Sequence, residues 1–522
     1  MARRLMLLLT ILVLPVAAAC DTSARPSSAP PGGGPAPTTA LPSGAAAPIT
    51  ASNYEVVACP AEVSLVAAGE VSCGYLTVPE DRVRPSGRSV RLFVARQSPA
   101  SGEVTSDPVL EIEELGWGRQ WSRPDPLAER VHRDVIHFEP RGVGRSEPSL
   151  ACPEIEVAAP MLYGAAPAGD AFPDSSLDPV RACHDRLRSV GIDLSAYGLE
   201  AIAADAEDLR SALGIDHWNI RSKGAGSRIA WEVIRRHPES VRAAWFDSPE
   251  TPAVDELRTA IVGMREAFAE LRESCAADAA CDAAYPDPDR LLARSVAGPG
   301  EPMEATYDGR LIPLTTDPTS TTLSVRFGLA VAPESILPAI AARATGAFPD
   351  DPQDWYTEIP PFLIGYGMDQ WDIANASRTA VFSDGAWFSS VCRDQLAFVD
   401  AHAIEAAAAG SQMYLQAFAR SPYPRICDIW DVGAADATVH EPVSSDIPML
   451  LLVGQYDSYG VPSLVAEAAR SLPGAQTVEF QGSGTNVLAL DCALSIRNAW
   501  LDAPAAAPDS GCADDLPRLP IG

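Results

Sequence analysis

From residue 200 to 249 the sequence alternates twice between helix-like and strand-like runs. "EAIAADAEDLRSALG" carries apolar residues at helical spacing and ends at Gly214; "HWNIRS" reads as a short strand, "SRIAWEVIRRHP" as a helix stopped by Pro238, and "VRAAWFDSP" as a strand again. Successive parallel strands need a long crossover, usually a helix, so this order predicts a mostly parallel sheet flanked by helices. The alternation resumes at "IPMLLLVGQYDS", "SLVAEAARSL", "AQTVEFQG" and "CALSIRNAWLD". Upstream, "GYLTVPE" and "SVRLFVARQ" read as a strand pair, and "DPVLEIEEL" and "RDVIHFEPRG" as mostly buried strands. Residues 252 to about 440 read as largely helical, with no strand succession. The expected organisation is one α/β core in two parts, 53–250 and 441–522, interrupted by a helical lid at 251–440. No internal repeat is present.

The N-terminus adds two segments that do not belong to this core. Arg3 and Arg4 precede the apolar run "LMLLLTILVLPV", which is short for a membrane span, and "AAAC" follows, so residues 1–19 read as an export signal. Small residues directly before Cys20 resemble the lipobox of bacterial lipoproteins, in which that cysteine is lipidated; the alternative is a plain secretory signal that leaves Cys20 a free thiol. Residues 20–52, rich in Pro, Ala, Gly and Ser, hold too little apolar surface to offset their ordering entropy and read as a tether. The expected location is the outer face of the cell membrane, by lipid anchor. The formal charge of −30 argues against a nucleic-acid partner, because phosphate binding needs a basic surface.

Setting Cys20 aside leaves ten of the eleven cysteines, an even number in an oxidising compartment. Sequence does not fix their connectivity, but pairing of chain neighbours gives Cys59–Cys73, Cys152–Cys183, Cys275–Cys281, Cys392–Cys427 and Cys492–Cys512. A metal site is the rival reading; no CxxC or HxxxH spacing supports it, and neither metal nor cofactor is expected.

The stretch "GIDHWNIRSKGAGSRIAWEVIRRHPESVRAAWFDSP" resembles the segment around the nucleophile in the exported tripeptidyl-aminopeptidase-like α/β-hydrolases of actinobacteria, serine peptidases related to prolyl aminopeptidases. "CGYLTVPEDR", "DVIHFEPRGVGRSEPSLACPE", "CAADAACDAAYPD" and "LLLVGQYDSYGVPSLVAEAARSLPGA" agree with it. The resemblance implies an α/β-hydrolase fold and a Ser–Asp–His triad, the nucleophile standing on a Gly-x-Ser-x-Gly elbow. Here the elbow becomes Ser222-Lys223-Gly224-Ala225-Gly226, so the nucleophile position is Gly224. Asp457 matches the acid. The histidine position falls on Thr485 in "FQGSGTNVL", and threonine has no proton affinity near neutral pH. The oxyanion region falls on Ala225 and on Glu113-Glu114-Leu115-Gly116-Trp117-Gly118, where carboxylates oppose the charge that backbone donors should stabilise. Glu139 replaces the usual Asp before Arg141-Gly142, a mild change.

Rescue by other groups is weakly supported. Ser222 belongs to the strand and Ser227 to the helix; Lys223 beside Ser222 points to the opposite side of the strand; His440 precedes the acid in the chain. Losing one oxyanion donor alone costs about 2.7–4 kcal/mol of transition-state stabilisation, and losing the nucleophile removes the covalent route. Two readings follow: a non-catalytic binding or accessory lipoprotein that keeps the cleft, or an active hydrolase with relocated groups. A third is a structural partner of another envelope protein. In the first, Glu113, Glu114 and Asp457 attract amines or peptide N-termini, and Trp117 lines the pocket; the alternatives are solvated turn glutamates and a tryptophan packed under the lid. A peptide or small molecule is the expected ligand; no protein partner is identified.

Overall fold

The computed structural model describes residues 53–66, 70–99, 104–119, 131–155, 177–297, 303–307, 310–314, 325–326, 329–330, 333–345, 382–411, 413–415 and 422–517. All belong to one compact unit, Ala47–Gly522. Eleven strands are present among them: β1 (Tyr54–Val57), β2 (Val71–Pro79), β3 (Ser89–Gln97), β4 (Thr105–Ile112), β5 (Arg133–Phe138), β6 (Trp218–Lys223), β7 (Val241–Asp247), β8 (Met303–Tyr307), β9 (Arg310–Leu314), β10 (Met449–Gly454) and β11 (Ala475–Phe480). Nine form one sheet in the order β1-β2-β3-β5-β4-β6-β7-β10-β11. The first three strands and the β3–β5 pair are antiparallel. From β5 to β11 every neighbour is parallel, as the alternating sequence predicts.

The period-two pleat divides the strand residues between two cores. Leu110, Ile136, Ile220, Phe246 and Leu451 face helices α1 (Leu199–Ala212) and α2 (Ser227–Arg236), which contribute Ile202, Leu209, Ile229 and Val233. Val109, Val135, Trp245, Leu450 and Leu452 face the opposite way, with Ile496 and Trp500 of the C-terminal helix Asp491–Asp502. Both faces of the parallel part are therefore buried, which is why β10 reads as the unbroken apolar run "MLLLVG".

After β7 comes a third core. Helix α3 (Glu256–Ala277), whose first turn is capped by the Asp255 carboxylate accepting from the Arg258 N–H at 2.9 Å, supplies Ile261, Met264, Phe268 and Leu271. Helix Ile336–Thr345 supplies Leu337 and Ile340. Tyr456 and Val461, from the loop after β10, pack into the same cluster, so this segment is fastened to the loop that carries Asp457. β8 and β9 pair as an antiparallel hairpin inside the segment read as largely helical, with no strand succession. The reason lies in "MEATYDGRLIPL", where an Asp-Gly pair between two short alternating runs is a two-residue hairpin signal that the surrounding helical pattern masks.

All five expected disulfides form: Cys59–Cys73, Cys152–Cys183, Cys275–Cys281, Cys392–Cys427 and Cys492–Cys512. Each joins neighbours in the chain. The Cys392–Cys427 link ties helix α4 (Asp384–Asp394) to helix Tyr423–Trp430. Thiol titration of the denatured, unreduced protein is expected to find none of these ten cysteines free. Converting Cys392 and Cys427 to serine should lower stability by about 2–5 kcal/mol, read by urea denaturation.

Candidate functional site

The C-terminal ends of β4, β6, β7 and β10 meet at one edge of the sheet, where an open α/β sheet places its ligand. β6 ends at Lys223, the turn Gly224–Gly226 follows, and α2 starts at Ser227. Gly224 has φ +46°, the left-handed conformation that a strand-to-helix hairpin imposes on its apex. Gly226 is required for a different reason: a Cβ there would lie 2.3 Å from the carbonyl oxygen of Glu113. The turn after β4 thus rests directly on the elbow, with Gly116 at φ +80° and the Trp117 N–H donating to the Glu114 carbonyl at 2.9 Å.

The space above the apex belongs to Glu114. A Cβ on Gly224 would meet the Glu114 carboxylate at 3.3 Å, and that carboxylate pairs with the Lys223 ammonium at 3.4 Å. Desolvation pulls the Lys223 pKa down, but Glu114 and Glu113 outweigh it and hold the ammonium above its ordinary value. Both side chains are about two-fifths exposed, and such a pair contributes about 0–1 kcal/mol, so a ligand can displace it. Glu113 turns aside to Arg119 at 2.9 Å. Neither glutamate is a merely solvated turn residue. Trp117 pairs with Phe382 across an isolated bridge, ring centroids 5.0 Å apart, and is half-buried at the rim.

Asp457 is buried, its Oδ1 accepting the N–H groups of Tyr459 and Gly460 at 2.9 Å each. Burial pushes its pKa up, opposed by the Ser248 hydroxyl and those two donors. Ser248 Oγ lies 3.2 Å from Asp247 as well, placed to donate its one hydrogen to either carboxylate, and Asp247 accepts the N–H groups of Val487 and Leu488 at 3.0 and 3.2 Å. This pins the loop in which Thr485 stands. The Thr485 N–H donates to the carbonyl of Ala330 at 2.5 Å, so the lid segment is seated on the position where a histidine is expected.

The rescue candidates have other partners. Ser222 Oγ donates to the Ile112 carbonyl at 3.3 Å, and Ser227 Oγ bonds to the carbonyls of Gly224 and Glu250 at 2.7 and 2.9 Å. His440 bonds to the Asp394 carbonyl at 2.6 Å and packs on Phe398, centroids 4.6 Å apart. Burial lowers its pKa. Among the described residues, which include all seven histidines, no imidazole makes a hydrogen bond to a serine hydroxyl. Glu139, buried beside Gly144, accepts the Arg145 N–H at 2.5 Å and serves the turn after β5. Cys20 lies outside the described residues.

Sequence reasoning missed two groups. On the face opposite α1 and α2, Glu111 of β4 stands in register with His137 of β5 and with Arg221 of β6. Its carboxylate takes His137 Nδ1 at 2.8 Å, Arg119 at 2.9 Å, and Arg221. His137 is a lone polar residue in the apolar run "VIHF", and Glu111 interrupts the apolar start of "VLEIEEL", signals available in the sequence; Arg221, beside Asn219 and Ser222 in "NIRS", carries none. The second group sits by the lid. Arg228 of α2 pairs with Glu250 at 2.7 Å, Arg326 pairs with Glu256 at 2.9 Å, and the Arg326 guanidinium lies 4.0 Å above the Tyr459 ring. The Glu250 N–H reaches the Gly224 carbonyl at 3.5 Å, which puts this group beside the elbow.

Buried acids here and below the lid carry a pH signature. Burial pushes the carboxyls of Asp247 and Asp394 up to about 6 from 3.8, and raises Glu250, with Glu256 adding to it. A raised carboxyl binds its proton more tightly in the folded state, so its stabilisation is complete below pH 3.8 and is lost as pH rises through about 6. For Asp247 and Asp394 the full loss is about 3 kcal/mol each. The melting temperature is therefore expected to fall from pH 5 to pH 8, and Asp394→Asn should flatten that slope.

Two family models match the chain: one described as alpha/beta hydrolase fold over residues 114–297, the other as TAP-like protein over residues 412–512. A serine protease, Hip1, of Mycobacterium tuberculosis is 29% identical over 228 residues, 41% of this chain and 43% of that protein. A tripeptidyl aminopeptidase of Streptomyces coelicolor is 27% identical over 206 residues, 36% of each. Carboxylesterase B of Mycobacterium tuberculosis is 28% identical over 279 residues, 49% of this chain and 52% of that protein. The chain thus spans about half or less of the length of the curated relatives it matches. With the sheet order, the elbow and the acid loop in place, this chain is an α/β-hydrolase-fold protein related to the TAP-like serine peptidases.

Proposed function

We propose that this protein is an exported, lipid-anchored member of the α/β-hydrolase fold whose cleft binds a peptide or small molecule without cleaving it. The observation that carries this is the pairing of a bare α-carbon at the elbow apex, Gly224, with Thr485 where a proton acceptor is needed. Without a side chain at 224 no acyl-enzyme forms, and without an imidazole no hydroxyl nearby is activated. Glu114 over the apex supports the same reading, because a carboxylate there disfavours a developing oxyanion. The full-length protein is expected to remain unlabelled by a fluorophosphonate probe and to turn over neither chromogenic peptides nor esters. Labelling of one serine together with turnover would overturn the proposal.

An active hydrolase with relocated groups is the second reading, favoured by the peptidase and esterase names of the relatives and by the buried Glu111–His137 pair. In that case turnover is abolished by His137→Gln. The anchor rests on "AAAC" at 17–20, with five disulfides consistent with an oxidising compartment. Cys20→Ser is expected to move the protein from the membrane fraction into the medium, read by immunoblot of the two fractions.

A further inference from the structure

The lid arginine beside the elbow is built as a receptor for an oxyanion. Arg326 is only 3% exposed, and three sides of its guanidinium are occupied: Nε donates to the Ser458 carbonyl at 3.1 Å, Nη1 pairs with Glu256 at 2.9 Å, and one face covers the Tyr459 ring at 4.0 Å. Its own carbonyl accepts the Ser458 hydroxyl at 2.7 Å, which locks the backbone behind it. Nη2 is the exception. It is buried, and among the described residues nothing accepts its hydrogens.

A buried guanidinium N–H without an acceptor is unfavourable, and a positioned cation with one edge free matches the fork of a carboxylate or phosphate. The Tyr459 phenol belongs to the same place. Burial raises its pKa to about 12, so it stays a neutral donor, and it lies in the field of Arg326, Glu256, Glu114 and Glu250. Glu114 packs on Gly224, so the phenol, the free guanidinium edge and the elbow apex share one neighbourhood. Glu114 opposes an anion at the apex, but it is paired with Lys223 at 3.4 Å. Arg326 is balanced by Glu256 and Arg228 by Glu250, and the raised Glu250 pKa removes part of the remaining negative charge.

We propose that Arg326 Nη2, assisted by the Tyr459 hydroxyl, receives the oxyanion of the ligand held in this cleft: a carboxylate such as a peptide C-terminus, or a phosphate. This rests on the binding function proposed above and names the ligand group. The test is calorimetric titration of the full-length protein with two probes, N-acetylalanine for the carboxylate and inorganic phosphate. Binding of either is expected and identifies the source; Arg326→Gln should weaken it by tenfold or more, and Tyr459→Phe more modestly. Because Arg326→Gln can disturb the lid, Arg326→Lys and Tyr459→Phe are melted alongside it, and a loss of binding in a variant that melts like the parent counts as support. No binding of either probe, binding unchanged in all variants, or binding of an alkylammonium instead overturns the proposal. Fluorophosphonate labelling separates the two ideas: a labelled, active protein with Arg326-dependent anion binding sinks the non-catalytic reading alone, whereas an unlabelled protein indifferent to both anions sinks this one alone.

Discussion

Asp205→Ala lowers the free energy of unfolding by about 3–5 kcal/mol, the largest loss expected from a single side chain here. Asp205 of α1 is fully buried and receives a two-pronged contact from Arg141, Nε at 2.7 Å and Nη2 at 2.6 Å, with Arg82 on the same oxygen as the second prong. Arg141 is equally buried and also donates to the carbonyls of Glu80 and Ala196 at 2.8 and 2.7 Å, so it holds the end of β2, the turn after β5 and α1 together. Removing the carboxylate leaves a guanidinium stranded in the core, and the penalty is chiefly that of an uncompensated charge. A double variant, Arg141→Met with Asp205→Leu, should therefore be less destabilised than Asp205→Ala. Urea denaturation of the single and double variants measures this; equal losses would mean that packing rather than charge sets the cost.

Gly226→Ala is expected to cost about 1–3 kcal/mol and to distort the cleft as well. The added methyl would stand 2.3 Å from the Glu113 carbonyl oxygen and 2.9 Å from its carbon, and backbone cannot swing aside as a side chain can. The turn 113–118 must lift off the elbow, carrying Glu114 away from Gly224 and straining the bond from the Ser383 N–H to the Gly116 carbonyl at 2.9 Å. Gly224→Ser is the informative contrast. Its Cβ meets only the far end of the flexible, part-exposed Glu114 side chain, at 3.3 Å, so its cost of about 1–3 kcal/mol comes from holding an L side chain at φ +46° rather than from a collision with backbone. That variant is still expected to resist fluorophosphonate, since restoring a hydroxyl does not restore a base. Thermal melting and probe labelling of both variants decide the matter.

The order of elements was legible because burial on both faces of a parallel sheet writes itself as apolar runs, and helices α1 and α2 write their stops as Gly214 and Pro238. The disulfides were legible because each closes a short stretch between neighbouring cysteines. The β8–β9 hairpin was not, since five-residue strands leave too little periodicity inside a helical segment. That Gly224, Asp457 and Thr485 stand at these places could be read from residue identity alone, and Gly224 has no side chain in any fold; their correspondence to a nucleophile, an acid and a histidine is what the resemblance implies.

What surrounds Gly224 and Thr485 is another kind of question. Glu114 over the apex, Ala330 on the Thr485 N–H, and Arg326 fixed between Glu256, Ser458 and Tyr459 bring together residues that lie far apart in the chain. Pattern along a sequence encodes burial and local backbone preference. It does not encode which side chains meet over the turn at Gly224, because that depends on distances between segments fixed only when the sheet, the lid and the acid loop pack against one another.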